Sequence, residues 1–515
     1  MIETASSKKK RVAKNTLLLY FRMIFSMAIS LYTSRIVLEQ LGIDDYGVYN
    51  VVGGIVTMFS IVSASMTSAI GRFLTYELGT GNKEKLKDIF CNAVSIQLLL
   101  SLGVVILIET VGIWFLNNKM NIAPERMVAA NWVLQFSTVT FIVNMISVPY
   151  NASIISHERM GAFAYISILE VVLKLAVAFL LFLSYFDSLI WYSFLIMMVS
   201  ILIRMVYNLY CKRNFEECKY NFRIEKGSLK EMIKFSGWNF IGSSSAILRD
   251  QGVNIVLNIF CGSAVNAARG IANQVNTAVY GFSSNFMLAM NPQIIKSYAS
   301  GDREYMQSLI IQGARFSLYL LLFLSLPIIL EAPNVLALWL VSVPAHTVGF
   351  TRLVLIVTMV ESLSIPLMYA NQATGKIRNY QLIVGGIQML NLPFAYLGLK
   401  LGFIPEIVYV VSLVLAVIAL FARLVILKRS ISLPVAHYVR LVLIKGLWIS
   451  LVSLILPLCL YDLLPDTGWS FITVIFTTLL WCGLTIYVLG CDKQEKEKIR
   501  KTISSIKSKI QHSHA

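Results

Sequence analysis

The sequence is short of charge above all: 14% of its 515 residues are Asp, Glu, Lys or Arg, against roughly 25% in ordinary soluble domains. With 57% hydrophobic residues and a mean hydropathy of +0.71, there is too little polar surface to coat a soluble body of this size. That excludes a soluble enzyme, a disordered regulator and a coiled coil. Paired cysteines are lacking as well. Cys91, Cys211, Cys218, Cys261, Cys459, Cys482 and Cys491 show no CxxC spacing and sit mostly in or beside apolar runs, so they read as free thiols rather than a disulfide framework. The five histidines offer no ligand spacing beyond a terminal His512-Ser513-His514, so no metal site is expected. No GxxxxGK[ST] segment is present either, which removes a nucleotide-driven engine.

Apolar runs are what the chain has. A window of about 20 residues, enough to cross roughly 30 Å of hydrocarbon at 1.5 Å per residue, predicts fourteen membrane helices and an all-α polytopic membrane protein. The spans lie near 16–38, 46–70, 90–115, 127–150, 162–184, 189–210, 237–260, 264–290, 312–331, 351–370, 380–399, 405–426, 441–461 and 469–490. The seventh carries Gly242-Ser243-Ser244-Ser245 and the eighth Asn273, Gln274, Asn276 and Thr277; both should face protein or water rather than lipid. Lys8-Lys9-Lys10-Arg11 precedes a run interrupted by Arg22 and Arg35. That run exceeds a signal-peptide core of about 7–15 residues and lacks a small-residue cleavage site, so it reads as an uncleaved first span.

The net charge of +17 follows from topology. Thirty Lys and Arg fall in the tails and alternate connections of one side, whereas the other side has Lys119, Arg126 and Lys400. The positive-inside bias therefore places both termini in the cytoplasm, and no nucleic-acid partner is needed to explain the basic balance.

An internal repeat organises the chain. Leu41-Gly42, Tyr46-Gly47 and Gly81-Asn82-Lys83-Glu84 return 220 residues later as Cys261-Gly262, Asn266-Ala267 and Gly301-Asp302-Arg303-Glu304, and Ser147-Val148-Pro149 returns as Ser364-Ile365-Pro366 at an offset of 217. Six spans per copy give two parallel repeats about an axis along the membrane normal. The expected organisation is a basic tail (1–15), a first lobe (16–210), a linker (211–236), a second lobe (237–427), two further helices (428–490) and a basic tail (491–515). In that last segment Ile499, Ile503, Ile506 and Ile510 form one apolar face, suited to a helix lying on anionic membrane lipids.

No connection is long enough for an external catalytic domain; the longest outer one, near 331–350, carries Trp339 and Pro344 rather than a set of acids. A membrane-embedded polymerase or ligase is therefore the lesser reading, and a non-enzymatic secondary transporter alternating access between its halves the leading one. Arg22 lies about six residues into the first span and Arg35 near its outer end. Arg249 is near mid-depth in the seventh, and Arg269 is in the outer third of the eighth. Charges at these depths mark a pathway, and fixed guanidinium forks suit a diphosphate anion. The competing reading has Arg22 and Arg35 snorkelling to the interfaces and Arg249 paired with a resident acid such as Glu361. Glu170 and Lys174 neutralise each other at i,i+4. Asp250 points about 100° away from Arg249 on a helix, so the two do not pair, and Asp250 and Glu361 are candidates to carry a coupling H+ or Na+.

Gly42-Ile43-Asp44-Asp45-Tyr46-Gly47-Val48-Tyr49, Asn266-Ala267-Ala268-Arg269-Gly270-Ile271-Ala272, Asn291-Pro292-Gln293-Ile294-Ile295-Lys296-Ser297-Tyr298 and Ala373-Thr374-Gly375-Lys376 carry a resemblance. Over essentially its whole length the chain resembles the bacterial polysaccharide biosynthesis and O-antigen flippases of the multidrug/oligosaccharidyl-lipid/polysaccharide exporter superfamily. The resemblance implies two six-helix lobes in a V, with spans 1, 2, 7 and 8 lining a central cavity. It also implies that undecaprenyl-diphosphate-linked oligosaccharide, a repeat unit of O-antigen, capsule or exopolysaccharide, is flipped from the inner to the outer leaflet of a bacterial cytoplasmic (inner) membrane, alongside other polysaccharide-assembly proteins. Multidrug members tend to carry an acid in span 1 or its cavity neighbours, where this chain has Arg22 and Arg35, which favours a lipid-linked sugar over a cationic drug. The lipid II flippases, with cationic cavities and fourteen spans, are the nearest alternative.

Overall fold

The computed structural model describes residues 5–497 except positions 58, 121, 184–186, 222–224, 262, 341–342, 464–467 and 494, and the described residues contain no strand. In chain order the helices are α1 (Ala5–Thr57, two helical stretches meeting at a kink where Gly42 takes a left-handed φ of 77°), α2 (Ser60–Thr80), α3 (Lys83–Asn118), α4 (Pro124–Ser156), α5 (Met160–Leu180), α6 (Ser188–Asn214) and α7 (Lys226–Cys261). They continue with α8 (Ser263–Ala299), α9 (Arg303–Leu330), α10 (Thr347–Thr374), α11 (Arg378–Lys400), α12 (Ile407–Ile431), α13 (Val435–Tyr461) and α14 (Ser470–Gly490). Among the described residues, eleven helices are long and apolar enough to cross a membrane, α1 over its Arg11–Gly42 part. The other three are α2, α7 and α8. Their own residues explain this: α7 and α8 carry the serines, asparagines and arginines noted above, and the expected span 46–70 is divided between the end of α1 and the start of α2. The expected amphipathic face of Ile499, Ile503, Ile506 and Ile510 lies outside the described residues.

The punctuation of the repeat has a local physical cause. Gly81 and Gly301 both take a left-handed φ, 79° and 81°, which an L side chain adopts only with strain. The residue after each caps the next helix: Asn82 Oδ1 accepts from the N–H of Lys85 and Asp302 Oδ1 from that of Tyr305, both at 3.1 Å. At the second anchor, Pro149 and Pro366 precede turns that reverse the chain through Glu158 (φ 59°) and Gly375 (φ 73°), themselves 217 residues apart. One copy of this turn uses glycine; the other forces a glutamate into the same backbone conformation.

The chain forms two compact units. The first comprises Met1–Ile247, Leu288–Met306 and Tyr369–Gly386, and its core gathers Ile70, Leu74, Ile89, Phe90, Leu134 and Ile154 from α2 to α4. Within it Arg72 is buried. Its Nε and Nη2 donate to the carbonyls of Gln372 and Ala373 at 3.3 Å, and its guanidinium lies over the rings of Phe73 and Tyr76. The second comprises Leu248–Met287, Gln307–Met368 and Ile387–Ala515, with one core around Leu257, Phe350, Leu355 and Tyr409 and another around Tyr319, Leu322, Ile449 and Cys482. Here buried Arg315 donates to the Gly490 carbonyl at 2.6 Å and pairs with Asp492 at 3.1 Å, tying α9 to the end of α14.

Candidate functional site

Helix α7 sets consecutive charges about 18 Å from its C-terminal end at 1.5 Å per residue, and its 100° step sends them to different partners. Arg249 Nη1 donates to Glu361 Oε1 at 2.8 Å. Asp250 Oδ1 accepts from Arg269 Nη2 of α8 at 2.6 Å. Arg269 also donates through Nη1 to the Asp250 carbonyl at 3.3 Å and to Asn254 Oδ1. Glu361 owes its place to a break in α10. Leu363 and Ser364 interrupt the helix just beyond it, ahead of Pro366, and the turn is held from other helices: Tyr438 Oη donates to the Leu363 carbonyl at 2.8 Å and Arg423 Nη1 to the Ser364 hydroxyl at 3.0 Å.

These four side chains line one cavity of the second unit, of about 100 Å³. Neutral polar groups complete its wall. Asn276 Oδ1 accepts from Thr358 Oγ1 at 2.7 Å, Asn273 Oδ1 from Tyr409 Oη at 3.1 Å, and Asn391 Nδ2 donates to Ser412 Oγ at 2.7 Å. Two guanidiniums face two carboxylates, so the site is balanced in charge. The pairs differ in access: the Arg269 side chain is 5% exposed and its Asp250 partner 50%, whereas Arg249 and Glu361 are 28% and 34% exposed. Water therefore reaches the Asp250 carboxylate, while the buried Arg269 guanidinium is fixed by its hydrogen bonds to Asp250 and Asn254.

The structure thus brings together Arg249, Arg269, Asp250 and Glu361, with a resident acid as the partner of Arg249. Arg22 and Arg35 belong to the first unit and do not line this cavity. The Arg22 guanidinium lies 4.9 Å from the centre of the Phe163 ring, and Arg35 is exposed. Glu170 and Lys174 close their expected pair at 2.6 Å. Sequence reading picked out Asn273 and Asn276 but missed Thr358, Asn391, Tyr409 and Ser412. None of them carries a charge or falls in a polar cluster like those of α7 and α8, and Tyr409 near the start of α12 resembles an ordinary interfacial aromatic.

The family model for polysaccharide biosynthesis proteins matches residues 12–300, more than half of the 515. The chain belongs to that family. This polysaccharide biosynthesis protein is 20% identical over 285 residues to the uncharacterized membrane protein EpsK of Bacillus subtilis (strain 168). The match takes in 55% of the chain and 56% of EpsK, so the chain spans little more than half the length of that curated relative. Solved transporters share its fold at 13% identity, each over 82% of this chain and 96% of the other: a MATE in the bent conformation (TM-score 0.72), an outward-facing multidrug resistance MATE family transporter of the MOP superfamily (0.70) and a MOP superfamily transporter from Pyrococcus furiosus (0.68). The polysaccharide biosynthesis protein therefore has a MATE-like helical membrane fold. Its matched segment contains Arg249, Asp250 and Arg269, while Glu361 lies beyond it.

Proposed function

We propose that this polysaccharide biosynthesis protein is a flippase of the secondary-transporter type, moving undecaprenyl-diphosphate-linked oligosaccharide from the inner to the outer leaflet of a bacterial cytoplasmic membrane. Two lobes (16–210 and 237–427) alternate access, both termini are cytoplasmic, and Arg22 and Arg35 are further ligands offered to the diphosphate. The observation that carries this reading is the pairing of two arginines with two acids around one polar cavity in helices of a family that serves polysaccharide assembly. An uncompensated arginine at mid-depth costs about 3 kcal/mol by insertion scales and more by other measures, so the guanidinium needs an anion at every stage. A resident carboxylate supplies that anion between cycles, and the cargo diphosphate presents the same paired oxygens with more charge. When Glu361 takes up a proton, or Na+ binds its carboxylate, Arg249 passes to the diphosphate without being left bare. At about 100 Å³ the cavity is smaller than the roughly 300–1,000 Å³ usual for a small-ligand pocket, so loading widens it.

The test is a reconstituted flipping assay on matched amounts of protein. Arg249→Lys should fold and insert yet lose at least about tenfold in flipping, because a point charge replaces the bidentate fork. Arg249→Ala with Glu361→Gln should recover abundance but not flipping. Near-normal flipping by Arg249→Ala, or full recovery in the double variant, overturns the assignment. Lipid II offered as a competing cargo separates the cell-wall alternative, and glycan length read in the same assay separates a polymerase or ligase, which would lengthen or transfer the chain. A second reading, a multidrug antiporter, draws on the two cavity acids, which can hold a cation; it requires efflux of a cationic dye that Glu361→Gln abolishes.

A further inference from the structure

A second cavity, of about 520 Å³, lies within the first unit between the start of α1, the α4–α5 turn and Tyr210 of α6. We infer that it binds the anionic phosphate headgroup of a lipid in the cytoplasmic leaflet. From the flippase reading it borrows only the orientation of the chain; the residues themselves supply the rest.

The wall is cationic. Arg11, Lys14 and Arg159 line it, and the one acid among the lining residues, Glu158, is already engaged. Its carboxylate accepts from Lys296 Nζ at 2.7 Å and Gln293 Nε2 at 2.5 Å, with Arg11 Nη1 at 3.6 Å, and its carbonyl accepts from Asn15 Nδ2 at 3.2 Å. Among the described residues no acid pairs with Lys14 or Arg159. The left-handed turn at Glu158 then starts α5 against the cavity, so that Met160, Gly161 and Ala162 form its wall. No side chain caps that helix start among the described residues, and its first N–H groups add to the positive field.

The remaining lining selects an amphiphile over a soluble anion. Leu18, Met160 and Tyr165 border the cations, and Leu17, Phe21 and Tyr165 expose 70%, 60% and 68% of their surface beside them, on helices apolar enough to cross a membrane. A phosphate head with hydrocarbon attached satisfies both halves of such a site, and its volume falls in the range of about 300–1,000 Å³ common for small-ligand pockets. The positive-inside orientation sets it in the cytoplasmic leaflet, where anionic lipids and the cytoplasmic end of a polyprenyl diphosphate carry the same chemistry.

Native mass spectrometry of the full chain with added lipid tests this. Phosphatidylglycerol and undecaprenyl diphosphate should each be retained at least about tenfold better than zwitterionic phosphatidylcholine. Lys14→Gln with Arg159→Gln should remove that preference, while Lys14→Arg with Arg159→Lys keeps it. Both positions are exposed, so abundance and melting of the variants should match the parent protein. Competition between the two lipids identifies the source: displacement of phosphatidylglycerol by undecaprenyl diphosphate marks a loading site for cargo, and the reverse a resident lipid. Equal retention of phosphatidylcholine, or a preference untouched by the double Gln substitution, overturns the inference. Because binding is read without transport, that failure is distinct from loss of flipping in the Arg249 variants.

Discussion

Glu158 shows how much one residue can be asked to do. A non-glycine residue in the left-handed region costs on the order of 1–2 kcal/mol, and the duplicate turn avoids that cost with Gly375. Glu158 offsets it through hydrogen bonds with Lys296 and Gln293, charge-assisted contacts worth roughly 1.5–3 kcal/mol each. Glu158→Gln, which keeps the strain and loses the charge, should therefore melt lower in detergent than Glu158→Gly, which loses both. Gly375→Ala should also melt lower than the parent protein, because its Cβ would stand 2.7 Å from Arg72 Nη2 in a backbone conformation that already disfavours it. A Glu158→Gln midpoint at or above that of Glu158→Gly would show that the left-handed turn costs nothing, and one equal to that of the parent protein would show that the charge of the network contributes nothing. The sequence made the charges of the candidate site legible but not their partners. Arg249 and Glu361 are 112 residues apart, and only the packing of α7 against the broken α10 decides that they meet.

At the scale of elements, the connection after α6 carries a pH-dependent clamp. In the short turn Glu216–Cys218, Glu217 Oε1 lies 2.6 Å from His157 Nε2. Burial pushes the Glu217 carboxyl up, but the hydrogen bond from His157 and nearby positive charge outweigh it and hold the group below the usual carboxylate range. A carboxyl depressed in the folded state contributes its stability in full above its ordinary value of about 4.3 and loses it as pH falls through the lower folded value. Pepsin should therefore nick the 211–236 linker faster as the pH is lowered below about 4, and Glu217→Gln should remove that acid-dependent step. Helix positions were legible because apolar runs and Gly-Asx punctuation are local signals. The break in α10 was marked by Pro366, yet which groups would satisfy the freed carbonyl, Tyr438 among them, is settled only in three dimensions.

For the whole molecule, orientation is the claim most open to a direct check. Cysteines introduced beside Asp187 and near Asn121 should react with an impermeant maleimide from outside, and cysteines in the 211–236 linker should not. Replacing Cys459, the exposed native thiol among the described residues, removes the main background. Linker labelling from outside would reverse the assigned topology. Fold class was legible at this scale from charge scarcity and apolar length alone; among the described residues eleven of the expected fourteen spans meet the length and apolarity needed to cross a membrane.

The polarity of α7 and α8 also bears on how the chain is made. A segment carrying Arg249, Asp250 and Arg269 has little tendency to leave the translocon for lipid unaided, while α9 to α14 are apolar enough to do so. Asp250 is made together with its partner Arg269, but the acid that neutralises Arg249 comes late in synthesis, Glu361 being made more than 90 residues after Arg269. The ribosome therefore delivers these two helices before the partner of Arg249 exists. Their placement is therefore expected to be completed only once α10 emerges, so the Arg249–Glu361 pair links the late part of the chain to the setting of an earlier one.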